Sequence, residues 1–214
     1  MTAQVKICGI TEAQHSHAAA MHGAHWLGFV FFEASPRNLS VPAATKLAHQ
    51  LPSGPKRVGV FVNASDSLLR DAVQVMALDA VQLHGNETPA DAARIKKMLG
   101  VRVIKAIAVK TEADLKKADA YLPYIDHILF DAKPPKGAAL PGGNAVSFPW
   151  HILKGKSLPY KWMLAGGLTP ENVARAITAS GATALDISSG VETAPGKKSS
   201  VLIQAFLSAV KAVK

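Results

Sequence analysis

Eight short apolar runs recur along the chain, separated by stretches in which apolar positions return with helical spacing. The runs are Val5 to Cys8, Trp26 to Phe31, Arg57 to Val62, Ala80 to Leu83, Val103 to Ile107, His127 to Phe130, Trp162 to Leu164 and Ala184 to Ile187. Helical periodicity is clearest over Asp66 to Met76, Pro89 to Leu99, Pro170 to Ser180 and Ser199 to Val213. The alternation runs from end to end without a linker or a low-complexity stretch, and eight units in 214 residues average about 27 residues each. That is tight but adequate for a single (β/α)8 TIM barrel, an α/β fold spanning residues 1–214 as one domain. An open doubly wound sheet is the alternative, though such sheets more often stop at about five or six strands.

A barrel would gather the residues that follow each strand onto one face, the face on which such folds do their chemistry. Those residues are Cys8 and Gly9, Ser35-Pro36-Arg37, Asn63, His84-Gly85, Asp131, Gly166-Gly167 and Asp186 to Gly190, most of them small, polar or titratable. After the sixth run comes a long glycine- and proline-rich segment, Ala132 through Asn144 and on to residue 147, whose place directly after Asp131 fits a lid.

Composition narrows the classes. A chain with 49% hydrophobic and 18% charged residues can fill one core. The single cysteine excludes an internal disulfide, and no Cys and His cluster has structural-zinc spacing. Histidines 15, 17, 22 and 25 read as decoration of an exposed helix face and the loop after it. The first residues lack a charged segment followed by a long apolar one, and no run approaches membrane-spanning length, so a reducing cytoplasm is expected and no membrane partner. The net charge of +9 favours anionic partners, including a phosphorylated substrate. Basic pairs such as Lys96-Lys97, Lys116-Lys117 and Lys197-Lys198 are scattered like a solvated surface, without a stacking platform, so no nucleic-acid partner is expected.

Among the candidate residues, Cys8 reads either as a reactive thiol at a strand end or as a small buried hydrophobe. Gly166-Gly167 and Ser188-Ser189-Gly190 fall in the loops after strands seven and eight, where backbone N–H groups can hold a phosphate without a dedicated lysine. Arg37, presented by Pro36, can hold a carboxylate bidentately or sit in an ordinary ion pair. Asp131 is either a structural carboxylate or an acid or base at the cavity; Asp186 reads similarly, and His84 beside a turn glycine reads as structural or as a ligand contact. Gly190 to Ser199 fails as a P-loop because five residues separate Gly190 from Gly196 and Lys198 stands where Ser or Thr is required. No Gly-x-Gly-x-x-Gly follows a strand, and three Asn-x-Ser/Thr matches carry no weight without a secretory signal.

Taken together, Lys6-Ile7-Cys8-Gly9-Ile10-Thr11, Gly28 to Phe31 leading to Ser35-Pro36-Arg37, Val58 to Asn63, Gln82-Leu83-His84-Gly85, Leu164 to Leu168, Asp186 to Glu192 and Pro195 to Lys198 resemble the phosphoribosylanthranilate isomerase family nearly end to end. The resemblance implies a cofactor-free, metal-free Amadori rearrangement in tryptophan biosynthesis. It implies Cys8 as general base and Asp131 as general acid, Arg37 as clamp of the anthranilate carboxylate, and Gly166, Gly167, Ser188, Ser189 and Gly190 as the phosphate cradle, with His84 and Asp186 as further substrate contacts. Those roles ask for a cationic or helix-terminus environment at Cys8 and a raised pKa at Asp131. Pro149 and Ala145 depart from the family pattern, which has Asp and Gly there, and would alter the start of the sixth helix and the stiffness of the lid.

The rival readings are another sugar-phosphate barrel, such as an aminosugar isomerase of histidine biosynthesis or a pentose-phosphate epimerase, and a barrel that binds a phosphometabolite without turnover. No exposed apolar stripe is evident, which favours a monomer.

Overall fold

The structure is a computed structural model and describes residues 2–135, 137, 142–143 and 147–213. Eight parallel strands form a closed barrel in chain order: β1 (Gln4–Cys8), β2 (Trp26–Phe31), β3 (Lys56–Phe61), β4 (Ala80–Leu83), β5 (Arg102–Val109), β6 (His127–Ala132), β7 (Lys161–Leu164) and β8 (Ala184–Ile187). The ring is shut by β1 pairing with β8, from Gln4 opposite Ala184 to Ile7 opposite Ile187. The expected TIM barrel is the observed fold, with strand limits shifted by one or two residues. The shift that matters is in β6, which continues through Ala132 and so carries Asp131 inside the strand.

Outside the barrel lie α1 (Ala13–Met21), α2 (Val41–Ala48), α3 (Asp66–Met76), α4 (Pro89–Leu99), α5 (Val173–Ser180) and α6 (Ser200–Ala212). The starts of α3 and α4 fall where the periodicity places them, because Ser65 caps the Leu68 amide and Thr88 with Asp91 forms a reciprocal capping box. Helix α5 begins three residues later than the pattern suggests. Asn172 accepts from the Thr169 amide and donates to the Gly167 carbonyl, so the residues before α5 form a pinned turn attached to the glycine loop. Between β5 and β6 the chain makes 3-10 turns over Glu112–Tyr124, a stretch interrupted by Pro123, which has no N–H to continue a ladder. Between β6 and β7 the described chain has only a four-residue 3-10 turn, Trp150–Leu153, beginning directly after Pro149. Ala145 and most of the segment expected to be a lid lie outside the described residues.

A short hairpin, β9 (Glu192–Ala194) and β10 (Lys197–Lys198), follows β8 and was not signalled by hydrophobic patterning, since its residues are mostly polar and exposed. It seats against the loop after β2, where a Cβ at Gly196 would overlap the Pro36 carbonyl.

Strand alternation sorts side chains into two cores. Ile7, Leu27, Phe29, Phe61, Leu83 and Phe130 face the helices, while Val58, Ala80, Ile104, Leu129, Met163, Ala165 and Ala184 plug the interior. Toward the open end, Lys6 and Gln82 replace apolar residues, and Cys8, Val30 and Val60 form a third small cluster.

Two surface expectations are corrected. His15 is buried, on the α1 face that also buries Ser16, Ala18 and Ala19, and only His17 and His25 of the four histidines are fully exposed. Lys198 is buried as well, in an ion pair described below, so the Lys197-Lys198 pair is not a solvated patch. No helix among the described residues is long and apolar enough to cross a membrane.

Candidate active site

At the end of the barrel where the strands terminate lies a cavity of about 830 Å³, counted to its open mouth. Nine of the ten residues singled out from the sequence line it: Cys8 from β1, Arg37 from the loop after β2, His84 after β4, Asp131 from β6, Gly166 and Gly167 after β7, and Asp186, Ser188 and Ser189 from the end of β8. Gly190 does not. Its position packs against the Leu168 carbonyl, which a Cβ would overlap, so this glycine lets the β7 and β8 loops approach one another and is not a cavity wall. Gly166 and Gly167 both have left-handed backbones, φ +89° and +64°, so the chain turns sharply at the cavity edge.

Below Cys8, the Lys6 ammonium is fully buried and donates to Asp186 Oδ1 at 3.0 Å and Gln82 Oε1 at 2.9 Å. Burial draws the Lys6 pKa down, but Asp186 and the Cys8 thiol more than offset it, and the net direction is up. For Cys8 the balance goes the other way from the sequence expectation. Burial pushes the thiol up, Lys6 and Lys198 pull it back, Asp186 adds to the rise, and the thiol ends above its ordinary value. The cationic neighbour is present, yet desolvation wins, and the resting thiol is protonated at neutral pH. No helix terminus is needed for this account.

On the opposite side, Asp131 Oδ1 accepts from the Ala132 amide at 2.8 Å, and Oδ2 lies 3.3 Å from His84 Nε2. His84 Nδ1 in turn sits 2.8 Å from Gln82 Nε2. Gly142 passes close over this pair: a Cβ there would come within 2.6 Å of His84 Nε2 and 2.8 Å of Asp131 Oδ2. The described part of the long segment therefore leaves no room for a side chain at Gly142 beside the acid candidate.

Arg37 is both readings at once. Its Nε and Nη2 donate to the two oxygens of Glu192 at 2.7 and 2.8 Å, an ion pair with a residue of β9, which leaves Nη1 and the remaining Nη2 proton for a second anion. Nη1 would lie 2.9 Å from a Cβ at Gly143. Gly9, with φ +79°, passes so close to Arg37 that a Cβ would meet its Cδ at 2.6 Å. Lys198 also binds Glu192, at 2.5 Å, and reaches the Ser188 carbonyl and hydroxyl at 3.0 and 3.2 Å. Burial raises the Glu192 pKa, and the Arg37 and Lys198 contacts override it, so the carboxyl is held below its usual range.

Lys6, Gln82, Glu192 and Lys198 were therefore missed as members of the site. The first two carried a signal, each being a lone polar residue inside an apolar run. Among the described residues no group of three or more His, Cys, Asp or Glu side chains is placed to hold a metal ion.

A family model described as N-(5'-phosphoribosyl)anthranilate (PRA) isomerase matches residues 5–209. The chain belongs to the phosphoribosylanthranilate isomerase family. Among curated phosphoribosylanthranilate isomerases, that of Paramagnetospirillum magneticum is 49% identical, over 99% of this chain and 98% of its own. That of Rhodospirillum centenum is 46% identical over the whole of both chains. Of solved phosphoribosylanthranilate isomerase structures, the Thermotoga maritima enzyme superposes with a TM-score of 0.86 at 37% identity, covering 98% of each chain. Another, in complex with reduced 1-(o-carboxyphenylamino)-1-deoxyribulose 5-phosphate, gives 0.84 at 35% identity and the same coverage.

Proposed function

We propose that this barrel converts N-(5'-phosphoribosyl)anthranilate into 1-(2-carboxyphenylamino)-1-deoxyribulose 5-phosphate in tryptophan biosynthesis, with Asp131 as general acid and Cys8 as general base. The observation that carries the assignment is that one cavity is lined by a carboxyl on β6, a thiol on β1, a guanidinium with a free fork and two glycine-serine loops. The substrate has a matching set of groups: a ring oxygen to protonate, a C2 hydrogen to remove, a carboxylate and a phosphate.

Asp131 gives its proton to the ribose ring oxygen as the C1–O bond breaks, and the anilino nitrogen's electron pair forms the Schiff base. Cys8, as thiolate, then takes the C2 proton, and the released pair forms the C1–C2 double bond of the enolamine, which tautomerises to the ketone. No net proton, electron or cofactor is consumed. Each transfer is worth about 10²–10⁴-fold in rate. Lys6 stabilises the Cys8 thiolate when it forms, while burial keeps that population small until pH rises or substrate binds.

Arg37, fixed on one edge by Glu192, offers its other edge to the anthranilate carboxylate. The phosphate sits between the loop at Gly166-Gly167 and the loop at Ser188-Ser189, both of which line the cavity, with the Lys198 side chain behind Ser188. Among the described residues the cavity needs no second copy to bring its candidate acid, base and phosphate loops together, which fits a monomer, and biosynthetic chemistry of this kind fits the cytoplasm.

The test is turnover of N-(5'-phosphoribosyl)anthranilate by the purified protein without added metal or cofactor, beside folded Cys8→Ser and Asp131→Asn variants. Loss of about 10²-fold or more in kcat in both supports the assignment. An active wild type with either variant unimpaired removes that residue from its role, and an inactive wild type that still binds the product analogue removes the activity.

A further inference from the structure

We propose that Lys6 and Gln82 are positioning residues on the acid's side of the cavity, holding His84, whose Nε2 lies 3.3 Å from Asp131 Oδ2, as the neutral imidazole protonated on Nε2. The chain of contacts runs across the floor of the cavity from β8 to β1 to β4 to β6: Asp186 Oδ1, Lys6 Nζ, the Gln82 amide, the His84 ring and Asp131 Oδ2. Its direction is fixed at one end. An ammonium has only donors, so the Gln82 atom 2.9 Å from Lys6 Nζ must be the carbonyl oxygen; the flipped amide would set NH₂ against NH₃⁺. Lys6 cannot swing away, because it is fully buried and held by Asp186.

With the oxygen so placed, the Gln82 NH₂ is what faces His84 Nδ1 at 2.8 Å. A donor there requires Nδ1 to accept, and the ring proton must sit on Nε2, 3.3 Å from Asp131 Oδ2. A doubly protonated ring would put Nδ1–H against the amide N–H. A lysine hydrogen-bonded to neither His84 nor Asp131 thus sets the tautomer of the first and the charge that faces the second.

The chemical benefit lies in what His84 is prevented from becoming. A cation about 3 Å from Asp131 would strongly favour the carboxylate, and a general acid has to hold a proton before it can give one. A neutral ring leaves the carboxyl, oriented by the Ala132 amide, without that charge beside it. The other charged or titratable groups lining this part of the cavity are Cys8 from β1, Asp186 from β8 and Arg37 from the loop after β2, with Lys6 of β1 buried beneath them. The buried Lys105 from β5 is engaged elsewhere, with Glu87 and the carbonyls of Leu83 and Gly85.

The kinetic consequence rests on the reading of Asp131 as acid; the tautomer does not. Two-bond ¹H–¹⁵N correlation spectra of the full-length ¹⁵N-labelled protein at neutral pH, with His84→Asn used only to assign the signal, read the ring nitrogens directly. The wild type is expected to show Nε2 protonated and Nδ1 accepting. Gln82→Glu supplies an acceptor in place of the donor and is expected to give two protonated nitrogens, with kcat lower by about 10²-fold and KM little changed. Gln82→Met, of similar shape with no donor, should give mixed tautomers. A wild-type ring protonated on Nδ1 or on both nitrogens overturns the proposal, and so does a Gln82→Glu protein whose His84 signature is unchanged. If that variant does not fold, the wild-type spectrum decides alone. An Asp131→Asn enzyme that keeps its activity would overturn the acid assignment while leaving the tautomer result standing.

Discussion

The Glu192 carboxylate lies flat against one edge of the Arg37 guanidinium, with 2.7 and 2.8 Å hydrogen bonds from Nε and Nη2. Lys198 grips the same carboxylate from the other side. An arginine tethered in this way presents its free fork in one direction only, which lowers the entropy lost when a carboxylate binds.

Glu192→Gln should therefore weaken substrate binding more than chemistry. With a charged hydrogen-bond partner worth about 1.5–3 kcal/mol, KM is expected to rise about tenfold or more, with kcat changing less. Steady-state kinetics check this, and a kcat-only loss would place Glu192 in the chemistry instead.

Activity and stability should move in opposite directions at alkaline pH. The Cys8 thiol is raised by burial, so the fold favours its protonated form; that contribution is complete below the unfolded thiol pKa of about 8.5 and is lost as pH rises through the higher folded value. On the proposed assignment the same titration generates the base. The basic-going limb of log kcat/KM is expected above about 8.5, while thermal stability falls over the same range, and Cys8→Ser should flatten the part of the stability fall that the thiol causes. Lys6→Met, which removes the cation that favours the thiolate, should shift the limb higher still.

Outside the barrel wall, Lys105 binds Glu87 at 2.9 Å with both side chains buried, and Glu87 also accepts from the Asn63 and Gly85 amides. Lys105→Met strands that carboxylate and is expected to cost about 3–5 kcal/mol in urea denaturation, with kcat of the folded protein near wild type. A loss confined to activity would mean that this pair serves the His84 loop and not the fold.

Gly142→Ala tests the close approach over the acid. Its Cβ would enter the space beside His84 Nε2 and Asp131 Oδ2, so kcat should fall by about 10²-fold, whereas global stability should change by no more than about 0.5 kcal/mol. Wild-type kinetics in this variant would show that the segment moves aside during the reaction.

The barrel was legible because strand and helix periodicity is local: the apolar spacing places α3 and α4, and Ser65 and Thr88 cap them within the same turn. The cavity walls were legible because the topology converts position after a strand into position at the mouth. What escaped were partnerships between distant elements. Arg37 and Glu192 are separated by 155 residues and Lys6 and Gln82 by 76, and no periodicity encodes such pairs. The direction of the thiol's pKa escaped for a related reason, since a sequence shows the lysine two residues away but not the depth of burial that outweighs it. The polar hairpin and the buried His15 likewise depend on what packs against them from elsewhere.

The closure of β1 onto β8 decides when the site is whole. Cys8 stands on the first strand and the Ser188-Ser189 loop follows the eighth, and the strand pairing from Gln4 to Ile7 is what sets them side by side. The candidate site thus straddles the seam of the barrel, and a chain lacking its eighth strand would have Cys8 without the Asp186 and Ser188-Ser189 side of the cavity, so the site is complete only when the two ends of the sheet meet.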